Sequence, residues 1–199
     1  MSEQIASSRI GEAGAERLTN AVIWAYSAPR IAFGIMGMLF GTYLMKFSTD
    51  VLLIAPAAMG ALIAASRLWD AISDPLAGFF SDNTRSRHGR RRIWMFGAAI
   101  PVGLAIVMMW SPPNFLVGLE LVIWMGIALI VYETASTAFY VPHGALGVEL
   151  TPNYHERTRL FGYSHMIAAI GMILGLISLQ LMNMAEDKRT FAEIGRAHV

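Results

Sequence analysis

Arg67-Leu68-Trp69-Asp70-Ala71-Ile72-Ser73-Asp74-Pro75-Leu76-Ala77-Gly78-Phe79-Phe80-Ser81-Asp82-Asn83-Thr84-Arg85-Ser86-Arg87-His88-Gly89-Arg90-Arg91-Arg92 closes a long apolar run and then turns sharply basic. Asp70 and Asp74 stand four residues apart, so a helix puts both carboxylates on one face. Carboxylates are costly in hydrocarbon. Where a transmembrane segment keeps them, they face a bundle interior or an aqueous path and point to an ion or proton site.

Working outward, the rest of the chain is made for lipid. Of 199 residues, 55% are hydrophobic and only 15% charged, and the mean hydropathy is +0.50. Five apolar blocks follow one another near 20–45, 51–80, 93–110, 115–141 and 160–184, each close to the roughly 20 residues that cross a bilayer as a helix. A lone segment in hydrocarbon must satisfy its own backbone, and the alternation of a barrel strand is absent, so all five are expected to be helices. Residues 1–19 read as a polar amino-terminal segment without a signal-peptide pattern, 20–184 as the membrane bundle and 185–193 as an external loop. The net charge of +1 argues against nucleic acid as a partner, and a chain without Cys has neither disulfides nor thiolate metal sites.

The loops give an orientation. Arg85, Arg87, Arg90, Arg91 and Arg92 lie in the second connection and Arg157 and Arg159 in the fourth, with Arg9 and Arg17 ahead of the first span. The first connection has Lys46 alone and the third has no basic residue. By the positive-inside rule the amino terminus is expected in the cytoplasm. Clustered Arg at a membrane surface also attracts anionic lipid headgroups. The final Ile194-Gly195-Arg196-Ala197-His198-Val199 resembles translated adapter read-through, and five spans are an awkward number for a bundle enclosing a path. The chain is therefore read as the amino-terminal part of a larger carrier, with 194–199 a non-native tail.

The residues of the opening stretch also supply ligands. A sodium ion, lithium ion or proton needs hard oxygens in mid-membrane. Asp70 and Asp74 bring charge and are the candidate ligands of a monovalent metal cation, and Ser73 adds a hydroxyl nearby. Pro75 has no N–H, so it deprives the Ala71 carbonyl of its usual partner. Two carboxylates a turn apart repel unless positive charge lies between them, which leaves sodium and proton coupling equally open. The plain structural alternative pairs Asp70 with Arg67 and uses Asp74 to cap or kink the helix at Pro75.

The run from Arg67 to Pro75, followed by Thr84-Arg85-Ser86-Arg87 and Gly89, resembles the signature of the glycoside–pentoside–hexuronide:cation symporters. These form the melibiose-carrier branch of the major facilitator superfamily. Tyr43-Leu44-Met45 with Thr49-Asp50-Val51, and Val141-Pro142 with Leu150-Thr151 and Glu156-Arg157, are similar to further pieces of that family in the same order. The resemblance implies an all-α membrane protein, the amino-terminal half of the superfamily fold, with five of twelve transmembrane helices present. It implies a cation site at Asp70, Ser73, Asp74 and Thr137, and a gating loop, with Asp82, Arg85 and Arg92 suited to it, that pairs with acidic residues at helix ends to hold the outward-facing state. It also implies a transporter that symports a carbohydrate-like solute with Na+ or H+, needs no cofactor and is not an enzyme.

On the solute side the sequence departs from the family's sugar carriers. Their acidic residues on the first and fourth helices, and an Arg on the fifth, fall here on Gly34, Tyr140 and His165. The polar residues left for a solute are Tyr26, Arg30, Glu133, Tyr140 and His165. Arg30 suits a carboxylate on an acidic solute, or neutralises Glu133. His165 suits an interior structural position as well as a ligand role. A membrane phosphotransferase would also gather Asp residues at a helix end, but it lacks the matching Asp spacing here. The alternative within the fold is a sensor that transports nothing, or a lysolipid carrier.

Overall fold

The computed structural model describes residues 17–87 and 89–197, and among them there is no strand. The elements are α1 (Asn20–Ser27), α2 (Pro29–Thr42), α3 (Leu44–Lys46), a π-helical turn (Phe47–Val51), α4 (Pro56–Asn83), α5 (Arg90–Trp110), α6 (Leu119–Glu149) and α7 (Tyr154–Ala197). The expected first span is thus several pieces. Pro29 lacks the N–H a continuous ladder would use, so the hydrogen bonding is interrupted between α1 and α2, while Ala28 keeps helical dihedrals and its N–H donates to the Trp24 carbonyl.

Four stretches are long and apolar enough to cross a membrane: Asn20–Thr42, Arg90–Trp110, Leu119–Glu149 and Tyr154–Leu181. The helix α4 is long enough as well, but Arg67, Asp70, Asp74 and Asp82 lower its apolarity. It is the element whose charge must be explained by function rather than by lipid.

Two expected boundaries differ from those observed. The fourth helix does not end near Val141: α6 runs through Pro142 to Glu149, a tolerance that membrane helices have because neighbouring groups re-satisfy the backbone. The fifth does not give way to a loop at 185–193, since α7 stays helical to Ala197. Polarity rises after Met184, yet Ala185 to Ile194 contains neither Gly nor Pro, so nothing there stops the helix. The expected segment 1–19 lies outside the described residues except for 17–19, as do 198 and 199 of the supposed tail.

The chain forms two compact units, one of residues 1–39 with 147–199 and one of 40–146. In the first unit, Ile23, Tyr26 and Leu160 form a small core with Leu18, Leu150 and Phe161, and Tyr26 meets Phe161 edge-on at 6.2 Å. α2 crosses α7 backbone to backbone. A Cβ on Gly34 would run into the Ala168 carbonyl, and one on Gly171 into the Ile31 carbonyl. Gly175 makes a looser contact, 3.1 Å from the Ile35 carbonyl to where its Cβ would stand. The close approach therefore pairs Gly34 with Gly171, whereas Gly37 and Gly41 face open space. Asn153 caps α7, its side chain accepting from the His155 N–H at 2.9 Å, and the sequence between 149 and 159 is the turn and capped restart expected of it.

In the second unit, Met59, Met109, Met125, Ala105, Ala128 and Leu129 are almost wholly buried. Around them Phe40 stacks on Tyr132 at 4.2 Å and Tyr43 on Trp110 at 5.8 Å. The Trp124 indole N–H donates to the Met108 carbonyl at 2.9 Å. This core fixes one end of α4 against α5 and α6, so the polar stretch of α4 meets α6 in a defined register.

Candidate cation site

Side-chain links tie α4 to α6 within the second unit. Arg67 Nη1 lies 3.4 Å from Glu133 Oε1. The Trp69 indole N–H donates to Thr134 Oγ1 at 2.8 Å. Thr137 Oγ1 donates to Asp74 Oδ1 at 3.0 Å. These links step along both helices in the same order, 67–69–74 against 133–134–137, as side chains on facing stripes must.

Asp70 sits inside this ladder. Its Oδ2 takes the same Arg67 Nη1 at 3.1 Å, and Ser73 on the next turn donates to the Asp70 carbonyl at 3.4 Å. Asp70 Oδ1 is buried, and among the described residues no donor reaches it. A carboxylate oxygen withdrawn from water without a donor is costly, and a cation relieves that cost. Glu133 is buried and interacts electrostatically with Asp70, Arg67 and Asp74. When all are ionised, three carboxylates face one guanidinium, so the group carries two uncompensated negative charges. Among the described residues no three His, Cys, Asp or Glu side chains converge as a metal-ligand set; two carboxylates with hydroxyl and carbonyl oxygens are the oxygens available here.

Of these residues, Asp74 and Thr137 meet across the α4–α6 seam, Asp70 joins it through Arg67, and Ser73 turns its hydroxyl to its own helix. The plain alternative describes part of it: Arg67 does pair with Asp70. It does not describe Asp74, which takes a hydroxyl from another helix. Glu133, considered from sequence as a solute ligand or a partner of Arg30, pairs with Arg67, a partner 66 positions away in the chain that no local spacing marks.

The remaining candidates are distributed between the units. In the first unit the Arg30 guanidinium lies beside the Tyr26 hydroxyl. His165 is exposed on α7 between buried Ser164 and Ile167. In the second unit Tyr140 is half-buried and meets Phe139 edge-on at 6.4 Å. Further along α6, His143 is almost fully buried and stacks on Phe139 at 5.5 Å, a position that no motif or spacing singles out.

At the other end of α4 the structure adds an ion pair that the sequence did not single out. Asp82 pairs with Arg91 at 3.0 Å, and among the described residues it does not pair with Arg85 or Arg92. α5 starts at Arg90, which turns Arg91 inward to a buried position and leaves Arg92 exposed. The Trp94 N–H donates to Thr84 Oγ1 at 2.8 Å beside it, joining the end of α4 to the first turn of α5.

Comparison with known proteins agrees with this architecture. A family model described as MFS/sugar transport protein matches residues 25–193. An uncharacterized symporter of Synechocystis sp. is 35% identical over 91% of this chain and 35% of its own length. The isoprimeverose transporter of Lactiplantibacillus pentosus is 31% identical over 82% of this chain and 35% of its own. Sodium-dependent lysophosphatidylcholine symporter 1 of Xenopus tropicalis is 30% identical over 72% of this chain and 27% of its own. The chain spans about a third of the length of these curated relatives.

Proposed function

The chain belongs to the glycoside–pentoside–hexuronide:cation symporter family of the major facilitator superfamily, and from that premise we propose that its protein is a secondary active transporter. It moves a small solute together with Na+ or H+ by alternating access in a bacterial-type inner membrane, with the amino terminus in the cytoplasm. The coupling ion binds at Asp70 and Asp74, with Ser73 and Thr137 as neutral oxygen ligands, and no cofactor takes part. The observation that carries this reading is the Thr137 hydroxyl on Asp74, which holds a membrane carboxylate ready without neutralising it.

The mechanism follows from charge. Without an ion, Arg67 alone offsets Asp70 and Glu133 while Asp74 rests on a hydroxyl. A cation between Asp70 and Asp74 relieves their repulsion, and with Thr137 as a further oxygen ligand it ties α4 to α6. Ion and solute then favour the same closed state, so each raises the affinity of the other.

The solute is a glycoside, pentoside, uronide or related molecule, held by a subset of Tyr26, Arg30, Glu133, Tyr140 and His165. A lysolipid solute is the second reading. It is favoured by Gly34, where sugar carriers place an acid: here that position is closed by α7 and has room for no side chain. Uptake by the full-length protein in vesicles separates the two. Accumulation of a radiolabelled pentoside or uronide driven by a Na+ or H+ gradient supports the first reading, accumulation of a lysophospholipid alone supports the second, and no gradient-driven uptake of any of them contradicts transport.

A further inference from the structure

A cavity of about 630 Å³ opens between α5 and α6 in the second unit, beside the α4–α6 seam, which it meets at Thr134. Trp94, Gly97 and Pro101 line one wall, Thr134 and Ala138 the other, and Thr84 the end nearest the Arg-rich loop. Small residues make the hollow, and its size falls in the ~300–1,000 Å³ range of ligand sites.

Its chemistry selects an apolar occupant. The polar atoms on its wall are already used: Thr134 Oγ1 accepts from Trp69 and donates to the Ile130 carbonyl at 2.6 Å. Thr84 Oγ1 accepts from Trp94 and donates to the Phe80 carbonyl at 2.7 Å. Both threonines thus turn their polar atoms to the protein. A sugar entering here would lose water and find few donors or acceptors in return.

The end at Thr84 has the opposite character. Arg85, Arg87, Arg90 and Arg92 are exposed within one turn or the adjoining loop. Gly89 starts α5 with no side-chain cap, so the first N–H groups of that helix add a partial positive charge at the same place. Guanidiniums and helix amides together match a phosphate, and the hollow beyond them matches an acyl chain.

We propose that this groove is a binding site for an anionic phospholipid, with one acyl chain against Trp94 and Gly97 and the headgroup phosphate on the exposed arginines. The lipid would join α5 to α6 from the membrane side, beside the Asp82–Arg91 pair. This site does not depend on the identity of the coupling ion or the solute.

The test uses the full-length protein in nanodiscs, with quenching of tryptophan fluorescence by brominated-chain phosphatidylglycerol compared with brominated-chain phosphatidylcholine. The wild type should be quenched several-fold more strongly by the glycerol lipid at equal mole fraction, and Trp94→Phe should remove that excess. Gly97→Phe fills the groove, since nothing lies within 4 Å of where its Cβ would stand, and should abolish selective retention in native mass spectrometry. Gly103→Phe on the same helix is equally open and should leave retention intact. The combined Arg85→Gln, Arg87→Gln and Arg92→Gln variant should keep acyl contact but lose preference for the anionic headgroup. Equal quenching by the two lipids, an excess that survives Trp94→Phe, or retention indifferent to Gly97→Phe would overturn the proposal. The last result would mean that another part of the protein covers the hollow.

Discussion

Thr137 on α6 donates a 3.0 Å hydrogen bond to Asp74 on α4, so a carboxylate in a membrane helix is engaged by a neutral hydroxyl from a different helix. A guanidinium in that position would satisfy Asp74 outright and leave little reason for an ion to bind. A hydroxyl orients the carboxylate and keeps its charge available. Replacing Thr137 by Ala or Val removes one hydrogen bond to a charged group, on the order of 1.5–3 kcal/mol where such bonds are well formed. Part of that loss falls on the ion-free state, so the half-saturating cation concentration should rise by about tenfold, with expression unchanged; the check is a cation titration of solute uptake.

Asp70 and Asp74 should behave alike in one respect and differ in another. Either Asn variant should remove cation-driven accumulation. Asp70→Asn also takes away one partner of Arg67 and should leave the Arg67–Glu133 pair tighter, whereas Asp74→Asn should leave both Arg67 contacts as they are. Adding Glu133→Gln to each variant distinguishes the two: the melting temperature should fall more on the Asp70→Asn background than on the Asp74→Asn background.

The Arg67–Glu133 link should show coupling in a double-mutant cycle. Glu133→Gln leaves Arg67 with Asp70. Arg67→Gln leaves two acids facing each other and should be the more damaging single change. Because the Arg67 side chain is 65% exposed, solvent screening holds the coupling energy to below about 1 kcal/mol in thermal stability. Melting temperatures of the four proteins in detergent provide the measurement.

Close helix crossing makes a steric prediction in the first unit. Gly34→Ala and Gly171→Ala should each lower stability by about 1–3 kcal/mol, because backbone must move to admit the methyl group. Gly37→Ala and Gly41→Ala should cost nothing, or stabilise slightly by restricting the unfolded chain. Thermal melts of the four variants rank them.

Much of the fold was legible because lipid imposes it: apolar length predicts the helices, and the four-residue step from Asp70 to Asp74 places both acids on one face of α4. What the sequence could not show are relations that exist only after packing. Arg67 and Glu133 are 66 positions apart and meet through the α4–α6 seam. Arg91 takes Asp82 because the first turn of α5 begins at Arg90, a boundary that a run of arginines does not mark. Gly34 faces Gly171 rather than Gly37 or Gly41 facing anything, since spacing within a helix says nothing of which side another helix approaches. The helix through 185–193 was hidden for another reason: polarity ends a membrane span without ending a helix.

The Asp82–Arg91 pair carries a prediction for the loop. Arg91 is buried while Asp82 is about half exposed, so removing the acid takes one charged partner from a guanidinium in a confined place. Arg91→Gln or Asp82→Asn should therefore impair transport more than Arg85→Gln or Arg92→Gln, and the paired exchange Asp82→Arg with Arg91→Asp should recover part of the loss. Initial uptake rates at saturating cation compare them.

The most direct measurement is cation binding to the purified full-length protein, by radioactive sodium retained at equilibrium and by proton uptake in weakly buffered solution. Saturable binding of one of these ions that disappears in Asp70→Asn and in Asp74→Asn, and persists in Asp82→Asn, is the predicted result. Saturable binding that is the same in wild type and in both α4 variants would contradict the assignment of the ion to the Asp70–Asp74 seam.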